Sequence, residues 1–227
     1  EGEEDKVLQA AQQALEQGIA SPVLIGRRSV IEQRLAGLGL AMRADVDFRL
    51  LDPQDNPDAE AHFAAFYQRA KRRGYTPAEA RVHIRNSSTA LSATLLRTGE
   101  AEAMICGVVG RYRSHLEQID LIIGRAKGVG HMTAMNVVVL QSGTLFIADT
   151  DVQVDPDTAA LVEITTLCVE EVRRFGIEPK VALLSHSNFG SHQDASASKM
   201  HEALRLIRAS YPELEIEGEM RADLALS

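Results

Sequence analysis

Two hydrophobic periods alternate along this chain. Residues 1–17 carry Val7, Leu8, Ala11 and Leu15 at helical spacing, and acidic residues crowd the start, where they favour the helix dipole. Gly18 ends that pattern. Pro22-Val23-Leu24-Ile25-Gly26 is a short continuous apolar run that predicts a buried strand. Helical spacing returns over 27–38, with Val30, Ile31 and Leu35 inward and Gly37 and Gly39 as stop signals. A second strand is predicted over 46–50, followed by a turn-rich stretch at 52–57. This βαβα rhythm predicts a parallel sheet covered by helices, an α/β fold.

The pattern continues with a helix over 59–73. It ends in Lys71-Arg72-Arg73-Gly74, where basic residues favour the dipole and glycine caps; phosphate binding is the other reading of these cations. Thr76-Pro77-Ala78-Glu79 is a helix start with threonine as N-cap, proline at the first position and glutamate three residues after the cap. Helices are expected over 80–85 and 89–96, a strand over 101–109 and a helix over 110–123. A flexible basic loop follows at 124–130. A strand over 131–140 turns at Ser142-Gly143 into a second strand over 145–148, an antiparallel hairpin. That change of style places a subdomain boundary near residue 130, giving a first α/β subdomain over 1–130 and a second over 131–227. A long helix over 157–175 presents Leu161, Ile164, Thr165, Cys168 and Val172 inward.

The stretch 180–191 carries the candidate chemistry. Val181, Ala182, Leu183 and Leu184 predict a strand buried on both faces. The chain then changes to Ser185-His186-Ser187-Asn188-Phe189-Gly190-Ser191, and helical spacing resumes from about residue 192. A strand, a small polar loop with a glycine and a helix start would place free N–H groups and hydroxyls at the carboxyl edge of a sheet, where anionic ligands bind in open α/β folds. An ordinary connecting loop satisfies the same pattern. Candidate ligand residues are Ser185, Ser187, Asn188, Gly190 and Ser191, with Arg111, Arg113, Arg125 and Lys127 as candidate cations. His186 reads as a base or as a loop histidine bonded to backbone, with no carboxylate partner visible in sequence. Asp149, Asp151, Asp155 and Asp157 could bind a divalent cation, but they lack the glycine and glutamate of an EF-hand. No catalytic or metal-ligating residue is assigned.

Composition narrows the classes. A net charge of -8 on 227 residues argues against nonspecific nucleic-acid binding, and aromatic content of 4% without tryptophan argues against a base-stacking surface. No apolar run approaches the ~20 residues of a membrane span, and no signal peptide opens the chain. Cys106 and Cys168 fit no metal spacing and are expected in the core; a reduced, cytoplasmic setting follows.

Several segments in order give a resemblance: Glu1-Gly2-Glu3-Glu4, Pro22-Val23-Leu24-Ile25-Gly26, Arg73-Gly74-Tyr75-Thr76, Ala148-Asp149 through Asp155-Pro156-Asp157, Phe175-Gly176-Ile177-Glu178-Pro179-Lys180-Val181-Ala182, and Gly218-Glu219-Met220-Arg221-Ala222-Asp223. Together they resemble the phosphate acetyl/butyryl transferase family along the whole chain. The resemblance implies an α/β/α fold of two subdomains with a cleft, related to the isocitrate dehydrogenase fold. It also implies that the family's last helices, with their catalytic serine and arginine, lie beyond Ser227.

Three departures stand out. The serine-rich loop reads Ser185-His186-Ser187-Asn188-Phe189-Gly190 where transferases usually carry Ser-x-Ser-Thr-Gly. Gly107-Val108-Val109 leads into Gly110-Arg111-Tyr112-Arg113 rather than a Ser/His-Thr-Ala stretch. Ala70 stands where an arginine is usual. These features look most like the branch that forms the C-terminal domain of large bacterial NADP-dependent malic enzymes. In that branch the resemblance implies a catalytically degenerate, oligomerising domain with acetyl-CoA as effector. It further implies a homo-oligomer and a malic-enzyme catalytic domain on the same polypeptide, holding NADP and a divalent metal. The alternative is an active phosphate acetyltransferase moving acetyl between CoA and phosphate.

Overall fold

The short apolar runs become short strands, and the longer amphipathic stretches become the helices around them. The computed structural model describes residues 1–226. The chain divides into two compact units, Glu1–Gly124 and Arg125–Ser227; the hydrophobic pattern places the division near residue 130.

In the first unit the order is α1 (Asp5–Glu16), β1 (Val23–Ile25), α2 (Arg28–Leu38), β2 (Arg49–Leu51), α3 (Ala59–Ala70), a 3-10 turn (Lys71–Arg73), α4 (Pro77–Asn86), α5 (Ser88–Thr98) and α6 (Tyr112–Ile122). β1 and β2 pair in parallel, Leu24 opposite Leu50 and Ile25 opposite Leu51. Alternate side chains point to opposite faces of a strand, and the two cores follow that rule. Leu24 and Leu50 join Leu8, Ile31, Leu35 and Phe48. Ile25 and Leu51 join Phe66, Ala70, Leu91 and Ile122. The sheet is therefore covered on both sides, as its continuous apolar runs predict.

Helix ends are set by local chemistry. Thr76 Oγ1 accepts the Glu79 N–H at 3.3 Å while the Glu79 carboxylate accepts the Thr76 N–H at 2.8 Å, the reciprocal box expected of that sequence. A buried histidine ties α3 to the end of α5. Asn56 accepts the Asp58 N–H with Oδ1, so its Nδ2 donates to His62 Nδ1 at 2.9 Å. That leaves Nε2–H of a neutral ring to donate to Glu100 Oε1 at 2.9 Å. Arg49 on β2 closes the network on Glu100 Oε2 at 3.1 Å.

The strand expected over 101–109 does not form. The segment is irregular and Ile105 is 96% exposed. Gly107 and Gly110 take φ of +112° and +109°, which breaks an extended run. The Gly107 and Val108 N–H groups donate to the Glu1 carboxylate at 2.9–3.0 Å instead of to a neighbouring strand.

The second unit contains β3 (Met135–Leu140), β4 (Gly143–Ala148), α7 (Thr158–Arg174), β5 (Lys180–Leu184), α8 (Ala195–Ser210), β6 (Glu215–Met220) and the short α9 (Ala222–Ala225). β3 and β4 form the expected hairpin, Leu140 opposite Gly143. β5 pairs in parallel with β6, which the pattern analysis does not anticipate because Glu215, Glu217 and Glu219 interrupt its apolar positions. Val169, Leu183, Ala203, Leu204, Ile207 and Ile216 form the core there. No helix among the described residues is long and apolar enough to cross a membrane.

The acidic anchors of the first unit give it a pH dependence. Hydrogen bonding from Arg27 pulls the Glu3 carboxyl from 4.5 to about 2 against the opposing effect of burial. Burial raises the Glu100 carboxyl, and hydrogen bonds from His62, Thr98 and Arg49 outweigh it, leaving it below the usual carboxylate range. A carboxyl depressed in the folded state stabilises above its unfolded value and loses that stabilisation as pH falls through the folded value. Urea denaturation should therefore show stability declining as pH drops below 4.5 toward about 2. Glu3→Gln should be less stable near neutrality and show a shallower decline over that window.

Candidate ligand loop

The loop after β5 is shaped by an irregularity in its neighbour. Leu183 lies opposite Gly218 and Leu184 opposite Met220, so Glu219 is an extra residue on β6. Such a bulge re-aims a side chain. Gly218 makes it possible: its φ is +142°, and a Cβ there would stand 2.8 Å from the Leu183 carbonyl oxygen. Glu219 is thereby turned under the loop and is 1% exposed.

The loop closes on this carboxylate. Gly190 N–H donates to Glu219 Oε1 at 2.7 Å, and Ser187 Oγ donates to the same oxygen at 3.0 Å. Phe189 N–H donates to the Glu219 main-chain oxygen at 2.8 Å. Other loop donors are spent nearby: Ser185 N–H on the Met220 carbonyl at 2.8 Å, Asn188 N–H on Ser191 Oγ at 3.0 Å, and His192 N–H on Ser187 Oγ at 3.1 Å. Asn188 Oδ1 in turn accepts the Arg221 N–H at 2.8 Å. Burial raises the Glu219 carboxyl, but the Gly190 and Ser187 hydrogen bonds and nearby His201 outweigh it and hold it below the usual range. Its Oε2 is buried without a hydrogen-bond partner among the described residues, and His201 Nδ1 lies 3.7 Å away.

The predicted ligand residues are thus close together but face differently from expectation. Ser187 is buried, Ser185 and Asn188 are half-buried, and Gly190 and Ser191 are exposed. His186, which lacks a visible partner in sequence, has one in space: its Nε2 lies 2.8 Å from Oδ2 of Asp194, the N-cap of α8. The four cations are exposed. Arg111 precedes α6, and Arg113 pairs with Glu117 at 3.2 Å. Arg125 donates to the Gly130 carbonyl, and Lys127 lies in the same loop. Arg111 and Arg113 belong to the first unit, and the other two cations and the serine-rich loop to the second. The basic loop is less free than its composition suggests. Glu163 on α7 holds its end through Gly130 N–H at 2.7 Å and His131 N–H at 2.9 Å.

The aspartate cluster is structural. Asp149 accepts N–H groups from Ala134, Asp151, Val152 and Gln153. Asp155 pairs with Lys199, and Asp157 caps α7. No group of His, Cys, Asp and Glu among the described residues is arranged to hold a metal ion. Cys106 and Cys168, expected in the core, are half-buried. Burial, with Asp149 and Glu171 adding to it, pushes the Cys168 thiol up to about 11, which suppresses the nucleophilic thiolate. An open groove of about 640 Å³, lined by Arg73, Tyr75, Glu79, Val82, His83 and Asn86, contains none of the predicted ligand residues. The residues that pattern analysis missed are Glu219, Asp194 and His201.

Comparison with known proteins agrees with this architecture. The family model described as phosphate acetyl/butaryl transferase matches residues 1–227. The chain is 48% identical over its whole length to the NADP-dependent malic enzyme of Haemophilus influenzae and 47% identical to that of Escherichia coli. It spans 30% of the length of each. A phosphotransacetylase structure from Streptococcus pyogenes superposes with a TM-score of 0.86 at 24% identity, over 99% of this chain and 69% of that one.

Ser187 donates to Glu219 and accepts from His192 in a fully buried position. Removing its hydroxyl leaves both partners short of a bond, which costs about 1–3 kcal/mol. Ser187→Ala should lower the free energy of unfolding by that amount in a denaturant titration, whereas Ser191→Ala, at an exposed position, should cost under about 1 kcal/mol.

Proposed function

From the premise that the chain belongs to the phosphate acetyl/butaryl transferase family, we propose that it is a non-catalytic, acetyl-CoA-responsive assembly domain of a cytoplasmic NADP-dependent malic enzyme, which converts malate to pyruvate and CO2. The observation that carries this reading is the altered loop, which reads Ser185-His186-Ser187-Asn188-Phe189-Gly190 where transferases usually carry Ser-x-Ser-Thr-Gly. A phosphate acyltransferase has to hold an acyl phosphate against CoA with donors free to stabilise developing charge. Here the Gly190 and Ser187 donors are engaged by a carboxylate of the chain itself. Ala70, where the resemblance implies an arginine, is 0% exposed within the apolar core and supplies no cation. The whole-chain identity of 48% to a malic enzyme supports the same branch.

Acetyl-CoA enters as effector through its phosphates. Each unit by itself offers exposed cations able to meet them, Arg111 and Arg113 in the first and Arg125 and Lys127 in the second. A response of the parent enzyme needs a coupling of only ~1–3 kcal/mol. NADP and a divalent metal belong, in this reading, to a catalytic domain elsewhere on the parent polypeptide. The β3–β4 hairpin supports self-association. Residues 132–148 carry no charged side chain, and Val137, Val139, Leu140 and Ile147 are exposed.

In the full-length enzyme, acetyl phosphate and CoA should show no turnover above a heat-killed control; measured turnover would favour an active transferase instead. Acetyl-CoA should alter the rate of malate oxidation. Replacing Arg111 and Arg113 together with alanine should weaken that response at least several-fold while basal oxidation survives. An unchanged response would remove these arginines from the site. Sedimentation at micromolar concentration should give a dimer or larger, and a strictly monomeric protein would contradict the assembly role.

A further inference from the structure

A cavity of about 170 Å³ lies within the first unit, where the turn-rich stretch at 52–57 and the start of α3 meet α4. It has the room of about six waters at ~30 Å³ each, well below the ~300–1,000 Å³ of a drug-sized site. Its inner wall is apolar: Ile84 and Leu91 are buried in the core and Phe63 packs against them half-buried. His62, also in the lining, brings no free polar atom. Its Nδ1 accepts from Asn56, and its Nε2–H donates to Glu100.

The rim is charged, and its two cations are used differently. Arg81 and Arg85 stand one turn apart on α4, and both line the cavity. Arg81 is fully engaged. Its guanidinium lies 3.8 Å over the Phe63 ring, and its Nε and Nη2 donate to the Glu60 carboxylate at 3.3 and 2.8 Å. Arg85 has no such counter-charge: its Nε, at 2.8 Å, and its Nη2 converge on one neutral amide oxygen, Gln54 Oε1. Among the described residues no carboxylate pairs with it. A guanidinium fork matches the two oxygens of a carboxylate, and here one uncharged oxygen takes both donors. Gln54 supplies that oxygen from an exposed position in irregular backbone.

We propose that this cavity binds a short monocarboxylate, with its two oxygens on the Arg85 fork in place of Gln54 and its apolar body against Phe63, Ile84 and Leu91. Replacing one shared neutral acceptor by two charge-assisted bonds favours the ligand. The surroundings admit one negative charge and no more. Glu60 already cancels Arg81, and Asp55 and Asp58 stand in the adjoining stretch, so a second anionic group would meet carboxylates rather than a cation. The volume limits the body to a few carbons. This inference goes beyond the proposed function and does not rest on it.

The test titrates propionate into the full-length enzyme by calorimetry. Arg85→Ala, at an exposed position, should weaken propionate binding about ten-fold or more. Gln54→Ala, which removes the competing acceptor and keeps the cation, should tighten it. Should the alanine variant at 85 fail to fold, Arg85→Gln keeps the stem, removes the charge and should show the same loss. Propionamide, of the same shape without the charge, and succinate, with a second charge, should each bind wild type and the Arg85 variant alike. Equal propionate binding by wild type and a folded Arg85 variant overturns the proposal. An Arg85-dependent affinity for succinate or propionamide that matches the one for propionate overturns it as well. The acetyl-CoA response is not read in this titration, so its absence would remove the regulatory reading and leave the propionate result standing.

Discussion

The buried carboxylate of Glu219 is the contact through which β6 and the serine-rich loop hold one another. Each step has a local cause. Gly218 tolerates a positive φ and the close Leu183 backbone, the bulge swings Glu219 inward, and two donors of the loop converge on one oxygen. Hydrogen bonds to a charged group are worth about 1.5–3 kcal/mol, and a buried carboxylate left without them costs several times a neutral bond. Loop and carboxylate therefore require each other. Glu219 without the loop would be an unpaired buried charge.

The same device recurs in both units. Glu1 accepts the Gly107 and Val108 N–H groups, Glu163 those of Gly130 and His131, and Asp149 those of four residues around it. The chain uses carboxylates as anchors for irregular backbone, and this accounts for part of its acidic balance. Some acidic groups that composition alone assigns to a solvated surface are structural acceptors. The apparent metal cluster around Asp149 dissolves for the same reason, since each aspartate with a defined partner there bonds to backbone or to Lys199.

Local signals are legible in the sequence. The apolar run at 23–25, the capping box at Thr76, and the hairpin turn near Gly143 depend on a few adjacent residues, and each forms as its pattern requires; the run at 180–184 forms a strand, but not one buried on both faces as expected, since Leu183 is buried and Leu184 is 46% exposed. Non-local pairing was not legible. The run at 101–109 has strand-like composition, yet two positive-φ glycines and the Glu1 carboxylate take it out of any ladder. β6 looks too acidic for a strand, yet it pairs with β5. Ser187 and Glu219 are 32 residues apart, and no spacing rule connects them. The loop was recognisable as a candidate site; the direction in which its donors point was not. Family membership and the likeness to malic enzymes rest on segments spread along the whole chain, and the altered loop is what separates the proposed role from transferase chemistry.

Amide exchange of the ligand-free, full-length protein addresses the central claim most directly, because an inward-facing loop and an open anion seat differ in which N–H groups meet solvent. The account predicts that the Phe189 and Gly190 amides exchange at least ~100-fold more slowly than in an unstructured peptide, with protection falling in Glu219→Ala. Exchange of these two amides at the unstructured rate in the wild type would contradict it.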